Sequence, residues 1–256
     1  KVKVLEGKKI YGMEEFKLLP PISRNYIVEW VGHALENKEG LIALRYFFIE
    51  ATLNGDDLGV YAIEEHFNKE LLENRKAREG IIFSAKSNQI KIFNEKKISK
   101  DINKRNQIRL LQSALQSIKN NEIEIGRIFD LEKFATQFAI IDLMDGYHAI
   151  AGNSLYYFNP ITNLIEPITR EYNSLRYSER LPYGDELMID RFRGEGGGPT
   201  GVPGGDWIFA NKLFQNKEFT MYYLKQLVRL SDKKYLDEFF ADVDEDMNIQ
   251  KKILYR

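Results

Sequence analysis

The sequence predicts an α+β protein in two lobes, and three features predict it. Strand-like runs fill most of the first part of the chain. Helical periodicity dominates the rest, and one apolar, aromatic hairpin interrupts that helical part. The division is expected near the polar run "NEKKISKDINKRNQ". That gives a β-rich N-terminal lobe over residues 1–94 and a mainly helical C-terminal lobe over 95–256, the latter holding the hairpin. With 256 residues, 43% of them apolar and 29% charged, the chain can bury a core and still leave a cleft between lobes.

The elements follow in order. "KVKVLEG" alternates with period 2, and "KKIYGMEEFKLL" reads as its antiparallel continuation around Gly7 and Gly12. "PPISRNYIVEWVGHALEN" sets two prolines before a Ser cap and then Ile27, Trp30, Val31 and Leu35 at helical spacing. "LIALRYFFIEATLNGDDLGVYAIEEHF" holds two strands joined at Asn-Gly, a strong hairpin signal. "NKELLENRKAREG" reads as a helix closing on Gly80, and "IIFSAKSNQIKIF" as one or two more strands. The polar run after it reads as a loop. "RLLQSALQSIKN" and "DLEKFATQFAIIDLM" are helices, the second capped by Asp130. The hairpin "SLYYFNPITNLIEPIT" follows, and two or three helices complete the chain from Asn211 onward.

Composition bounds the chemistry. A formal charge of −1, with Lys and Arg scattered, carries no basic footprint for nucleic acid. With no cysteine, disulfides and thiolate metal sites are excluded, and the compartment stays open. No run approaches the roughly 18 apolar residues of a membrane span. The chain begins on Lys1, which leaves room for a removed targeting segment and for an N-terminal lobe cut short at its start.

The hairpin is bracketed by polar oxygen donors. Asp145 ends the apolar helix, Asn153 stands just before the strand, and Glu171 follows the returning strand. Burying such groups costs several kcal/mol unless a cation or hydrogen bonds meet them. A few hard oxygen ligands of this kind suit Mg²⁺ or Mn²⁺, and a capping or salt-bridge role is the plain alternative. The glycine-rich run "GEGGGPTGVPGG" at 194–205 lacks a Gly-Lys-Ser/Thr ending and reads as a surface or substrate-facing loop.

Four segments in one order resemble the CotH kinase family of spore-coat-type atypical protein kinases. They are "SRNYIVEWVGHAL", "NGDDLGVYAIEEHF", "DGYHAIAGNSLYYFNPITNLIEPITREYN" and "LFQNKEFTMYYLKQLVRL". The resemblance implies an atypical protein-kinase-like fold that binds ATP with a divalent metal and phosphorylates Ser or Thr hydroxyls of a protein substrate. Carried over, Asp145 matches the catalytic-loop Asp and Asn153 the Asn before the strand. Glu171 falls where the family usually has its metal-binding Asp. Asp145, Asn153 and Glu171 are thus the implied metal ligands, with Asp145 and Glu171 the catalytic pair. Lys1 and Lys3 match a basic strand expected to reach the phosphates. Arg24 matches the Arg of the Arg-Asn helix, where Glu29 is another candidate to orient the lysine, and Glu65 lies where the chain would border the adenosine. Because Glu171 is a methylene longer than Asp, a kinase-fold nucleotide- or partner-binding module that has lost catalysis is the alternative. A carboxylate-based glycoside hydrolase using Asp145 and Glu171 is a third reading.

Overall fold

A computed structural model describes residues 1–86, 89–150, 154–172, 187–192 and 208–256. The fold is α+β and two-lobed, built on two antiparallel sheets. The first sheet contains β1 (Val2–Lys3), β2 (Glu15–Leu19), β3 (Tyr46–Leu53) and β4 (Asp56–Glu65), in the order β1-β2-β4-β3. Asn54 and Gly55 form the β3–β4 tip with φ of +54° and +94°, the left-handed pair that a two-residue hairpin of type I′ requires.

Helix α1 (Ile27–Lys38) packs on β3. Its expected Ser23 cap is not used, because Ser23 Oγ donates to the Pro20 carbonyl inside a 3₁₀ turn over Pro21–Arg24. Asn25 and Tyr26 then take positive φ, so the turn breaks before the helix starts. The second helix, α2 (Lys69–Asn74), stops well before Gly80. Gly80 is needed for a different reason: a Cβ there would lie 2.4 Å from the Phe158 carbonyl oxygen, so the residue permits close passage of two strands.

The second sheet has the order β6-β5-β7-β8, with β5 (Ile81–Lys86), β6 (Gln89–Ile92), β7 (Leu155–Phe158) and β8 (Ile165–Ile168). The expected polar loop between residues 95 and 108 is instead α3 (Glu95–Ile98) and the start of α4 (Ile102–Lys119). Asp101 caps α4 by accepting the N–H groups of Asn103 and Lys104, and Ile108, Leu111, Leu115 and Ile118 bury one stripe. The polar residues of that stretch are the outer face of a helix.

Helix α5 (Leu131–Leu143) begins at Asp130, whose side chain accepts the Lys133 N–H as expected. It is apolar nearly all round because it is the central helix. Phe134, Phe138 and Ile140 are buried together with Tyr156 of β7. Helices α6 (Met188–Phe192), α7 (Ile208–Gln215) and α8 (Lys217–Leu230) supply Phe192, Phe214, Phe219 and Tyr223 to the same core. Burying each such ring is worth about 1.5–3 kcal/mol. The long α9 (Lys233–Leu254) returns to the edge strand β3, where the Gln250 side-chain oxygen accepts the Phe48 N–H at 2.8 Å. That bond meets a donor of the edge strand, and the Lys38–Asp242 ion pair ties α9 to α1.

Candidate functional site

Helix α5 ends in a Schellman motif: the Gly146 N–H reaches the Ile141 carbonyl and the Asp145 N–H reaches that of Asp142. The left-handed position of this motif is normally glycine, yet here it is Asp145 with φ +51°. Its conformation costs on the order of 1 kcal/mol relative to glycine. One turn earlier, Asp142 accepts bonds from the Tyr223 hydroxyl and the Met188 N–H, tying α5 to α8 and α6. Burial outweighs those bonds and pushes the Asp142 carboxyl up to about 6.

The β7–β8 hairpin returns the chain past Thr169 to Glu171, which also has a positive φ, +67°. Asp145 and Glu171 are thus two carboxylates in sparsely populated backbone conformations on adjacent turns, which makes the pair a candidate site. The turns touch. A Cβ on Gly146 would lie 3.4 Å from the Tyr172 Cα and 3.0 Å from its ring. On its other face the Tyr172 ring presses on α1, where a Cβ on Gly32 would fall 2.3 Å from Cδ2. Gly32 is therefore required by close approach, and at Gly146 a side chain would fit only if Tyr172 gave by a few tenths of an ångström.

Two arginines and a histidine surround Glu171. Its Oε1 accepts Arg24 Nη2 at 2.9 Å and also Arg170 Nη1, while His148 Nδ1 lies 3.0 Å from Oε2. Burial alone would raise this carboxyl, but the His148 bond and the Arg170 and Arg24 charges bring it down to about 2. Arg24 also binds Glu64 at 3.1 Å, and Lys17 binds the other oxygen of that fully buried carboxylate at 2.5 Å. Burial would raise Glu64 too, and Lys17 with Arg24 holds it below the usual range. One charge chain thus runs from β2 through β4 and the 3₁₀ turn before α1 to the end of the β7–β8 hairpin.

Beside this chain lies a cleft of about 190 Å³ lined by Lys3, Glu15, Phe67, Ile82 and Phe93, among others. Phe67 and Phe93 meet edge to face at 5.3 Å. The Phe67 ring also carries Lys17 Nζ at 5.9 Å and the Arg170 guanidinium at 5.4 Å, so an aromatic wall is flanked by two cations.

The structure brings together four of the residues singled out from sequence: Arg24 and Glu171 in one ion pair, Glu29 on the Glu171 backbone, and Asp145 on the neighbouring turn. Lys1 and Lys3 pair with Glu15, at 3.0 and 4.0 Å, and Lys3 also lines the cleft. Glu65 is buried against Arg45, whose backbone N–H it accepts at 2.9 Å. Asn153 and the glycine-rich run 194–205 lie outside the described residues. Lys17 lies outside the family-like segments, and Glu64 and Arg170 lie within two of them without being singled out. Only the alternation of β2, which sets Lys17 between two hydrophobic residues, could have drawn notice to one of them.

Among the described residues, Glu171 does not fit a divalent cation as it is arranged. Both oxygens of Glu171 face cationic or hydrogen-bonding groups, and among the described residues no three acidic or histidine side chains gather as a metal site. Among the described residues, too, no helix is long and apolar enough to cross a membrane. No curated protein matches the chain. The family model for CotH kinase protein, however, matches residues 3–245, which takes in both sheets, the Asp145 turn and the Glu171 turn. Nearly the whole chain is covered by that match, and the protein belongs to the CotH kinase family of kinase-like phosphotransferases.

Proposed function

We propose that the protein moves the γ-phosphoryl group of ATP to a Ser or Thr hydroxyl of a protein substrate. The observation that carries this reading is the gathering of Lys17, Arg24, Arg170 and His148 around two carboxylates beside an aromatic cleft. Phosphoryl transfer needs little covalent help from a protein. Its rate comes from positioning and from neutralising charge on the phosphate oxygens.

In this reading Phe67 and Phe93 face the base, while Lys17 and Arg170, which share the Phe67 ring, meet the phosphates. Asp145 orients the acceptor hydroxyl and takes its proton as the hydroxyl oxygen bonds to phosphorus. The bond to the bridging oxygen breaks, and ADP leaves with the electron pair. Mg²⁺ or Mn²⁺ accompanies ATP in the assay, but no step is routed through Glu171, because its carboxylate is engaged by Arg24, Arg170 and His148.

That engagement favours a second reading, a kinase-fold module that binds nucleotide without turnover. Transfer of labelled phosphate from ATP, with Mg²⁺ or Mn²⁺, separates the two. Loss of transfer in Asp145→Ala with an unchanged melting temperature supports the enzyme. Transfer unaffected by the substitution removes Asp145 from the reaction, and ATP binding with no transfer in the wild type selects the binding module.

A further inference from the structure

We propose that Glu29 is the positioning residue of the candidate active site, holding the Glu171 turn in its left-handed conformation from helix α1. Among charged residues of α1, Glu29 is fully buried. Its Oε1 accepts the Glu171 N–H at 2.6 Å and its Oε2 the Tyr172 N–H at 2.7 Å, so one carboxylate spans two successive backbone donors. Charge-assisted bonds to backbone N–H groups are among the strong ones, and two on one carboxylate fix orientation as well as distance. The sequence suggested Glu29 as a partner for a lysine. In the structure Lys1 and Lys3, the lysines in question, pair with Glu15, and Glu29 serves the backbone of the turn instead.

The rest of the same helix face supports the clamp. Glu29, Gly32, His33 and Glu36 stand at i, i+3, i+4 and i+7 and line one stripe. His33 lies 3.4 Å from Glu29 Oε1 and 3.0 Å from Glu36 Oε2, so the clamping carboxylate has a cationic neighbour behind it. Gly32 admits the Tyr172 ring, which meets His33 edge to face at 5.9 Å. Helix α1 thereby sets the distance between the Glu171 turn and the Asp145–Gly146 turn that touches the far side of the same ring. A displacement of α1 would move Glu171 relative to Asp145. Glu29 touches neither reacting atoms nor phosphate, and it acts through the backbone it holds.

The inference deepens the phosphotransferase reading, but its test does not depend on activity. Amide hydrogen exchange is measured on the whole protein for wild type, Glu29→Gln, Glu29→Asp and Glu36→Gln. Gln offers one acceptor and turns a donor toward the second N–H. Asp keeps the charge beside His33 but is too short to span both donors, so it reports even if Glu29→Gln fails to fold. In Glu29→Gln and Glu29→Asp, exchange at the Glu171 and Tyr172 amides rises about tenfold or more, as loss of a charge-assisted bond requires. Protection elsewhere in β7 and β8 is kept, and Glu36→Gln leaves those two amides unchanged. Phosphate transfer in Glu29→Asp then shows a lower kcat with little change in KM for ATP. Unchanged exchange at the two amides in Glu29→Asp overturns the proposal, as does equal loosening by Glu36→Gln. If the wild type transfers no phosphate, the phosphotransferase reading fails and the exchange comparison still decides the clamp.

Discussion

His33 makes the protein lose stability on the alkaline side of neutrality. The imidazole is buried, which alone would pull its pKa down, but the Glu36 hydrogen bond and the charges of Glu29 and Glu36 outweigh burial and push it up to about 9. In the unfolded chain it titrates near 6.5. Its native pKa is the higher one, so the stabilisation is complete below pH 6.5 and is lost as pH rises through about 9. The difference of about 2.5 pKa units corresponds to about 3 kcal/mol, a large fraction of the stability of an ordinary domain. The other groups facing the ring are Tyr46 of β3 and Tyr172, and burial raises both phenols, so neither ionises in this window. Urea unfolding followed by circular dichroism from pH 6 to 10 measures the slope. The wild type should fall by about 3 kcal/mol between pH 6.5 and 9. His33→Gln, which leaves two buried carboxylates without a cation, should start about 3–5 kcal/mol weaker at pH 6 and converge on the wild type near pH 9. A flat wild-type profile, or an equal slope in His33→Gln, would refute the protonated Glu29–His33–Glu36 triad.

Two other outcomes follow from the geometry. Gly32→Ala places a methyl 2.3 Å from Tyr172 Cδ2 and should cost about 1–3 kcal/mol in the urea midpoint, whereas a neutral result would mean that the ring yields freely. Lys17→Met leaves the buried Glu64 with Arg24 alone, so stability should drop by about 1.5–3 kcal/mol. The same variant should bind ATP about tenfold more weakly by calorimetry, the loss of roughly one charge-assisted contact, and undiminished binding would take Lys17 out of the phosphate site.

Much of the local structure was legible from residue patterns. Asn54-Gly55 marked the β3–β4 hairpin, Asp130 marked the start of α5, and the apolar, aromatic run around residues 155–168 marked β7 and β8. The stretch 95–108 misled because an amphipathic helix with few apolar residues in its first turns resembles a loop until its buried stripe begins at Ile108. Gly80 resembled a helix stop but serves a close strand crossing, a demand that comes from Phe158 far along the chain. Asp145 and Glu171 were visible as carboxylates flanking an apolar hairpin, whereas Lys17, Glu64 and Arg170 looked like ordinary surface charge.

By itself the sequence determined most of the segments that become strands and helices, and that two acidic turns flank one buried hairpin, since spacing, caps and turn residues act over a few positions. Tertiary structure alone decided which charges meet. Arg24 reaches Glu171 across 147 positions, and Glu29 reaches the backbone of Tyr172 across 143. Such pairings depend on how α1 docks on β3, α5 and α9, and that docking is set by packing and desolvation over the whole molecule, which leave no periodic trace near either partner.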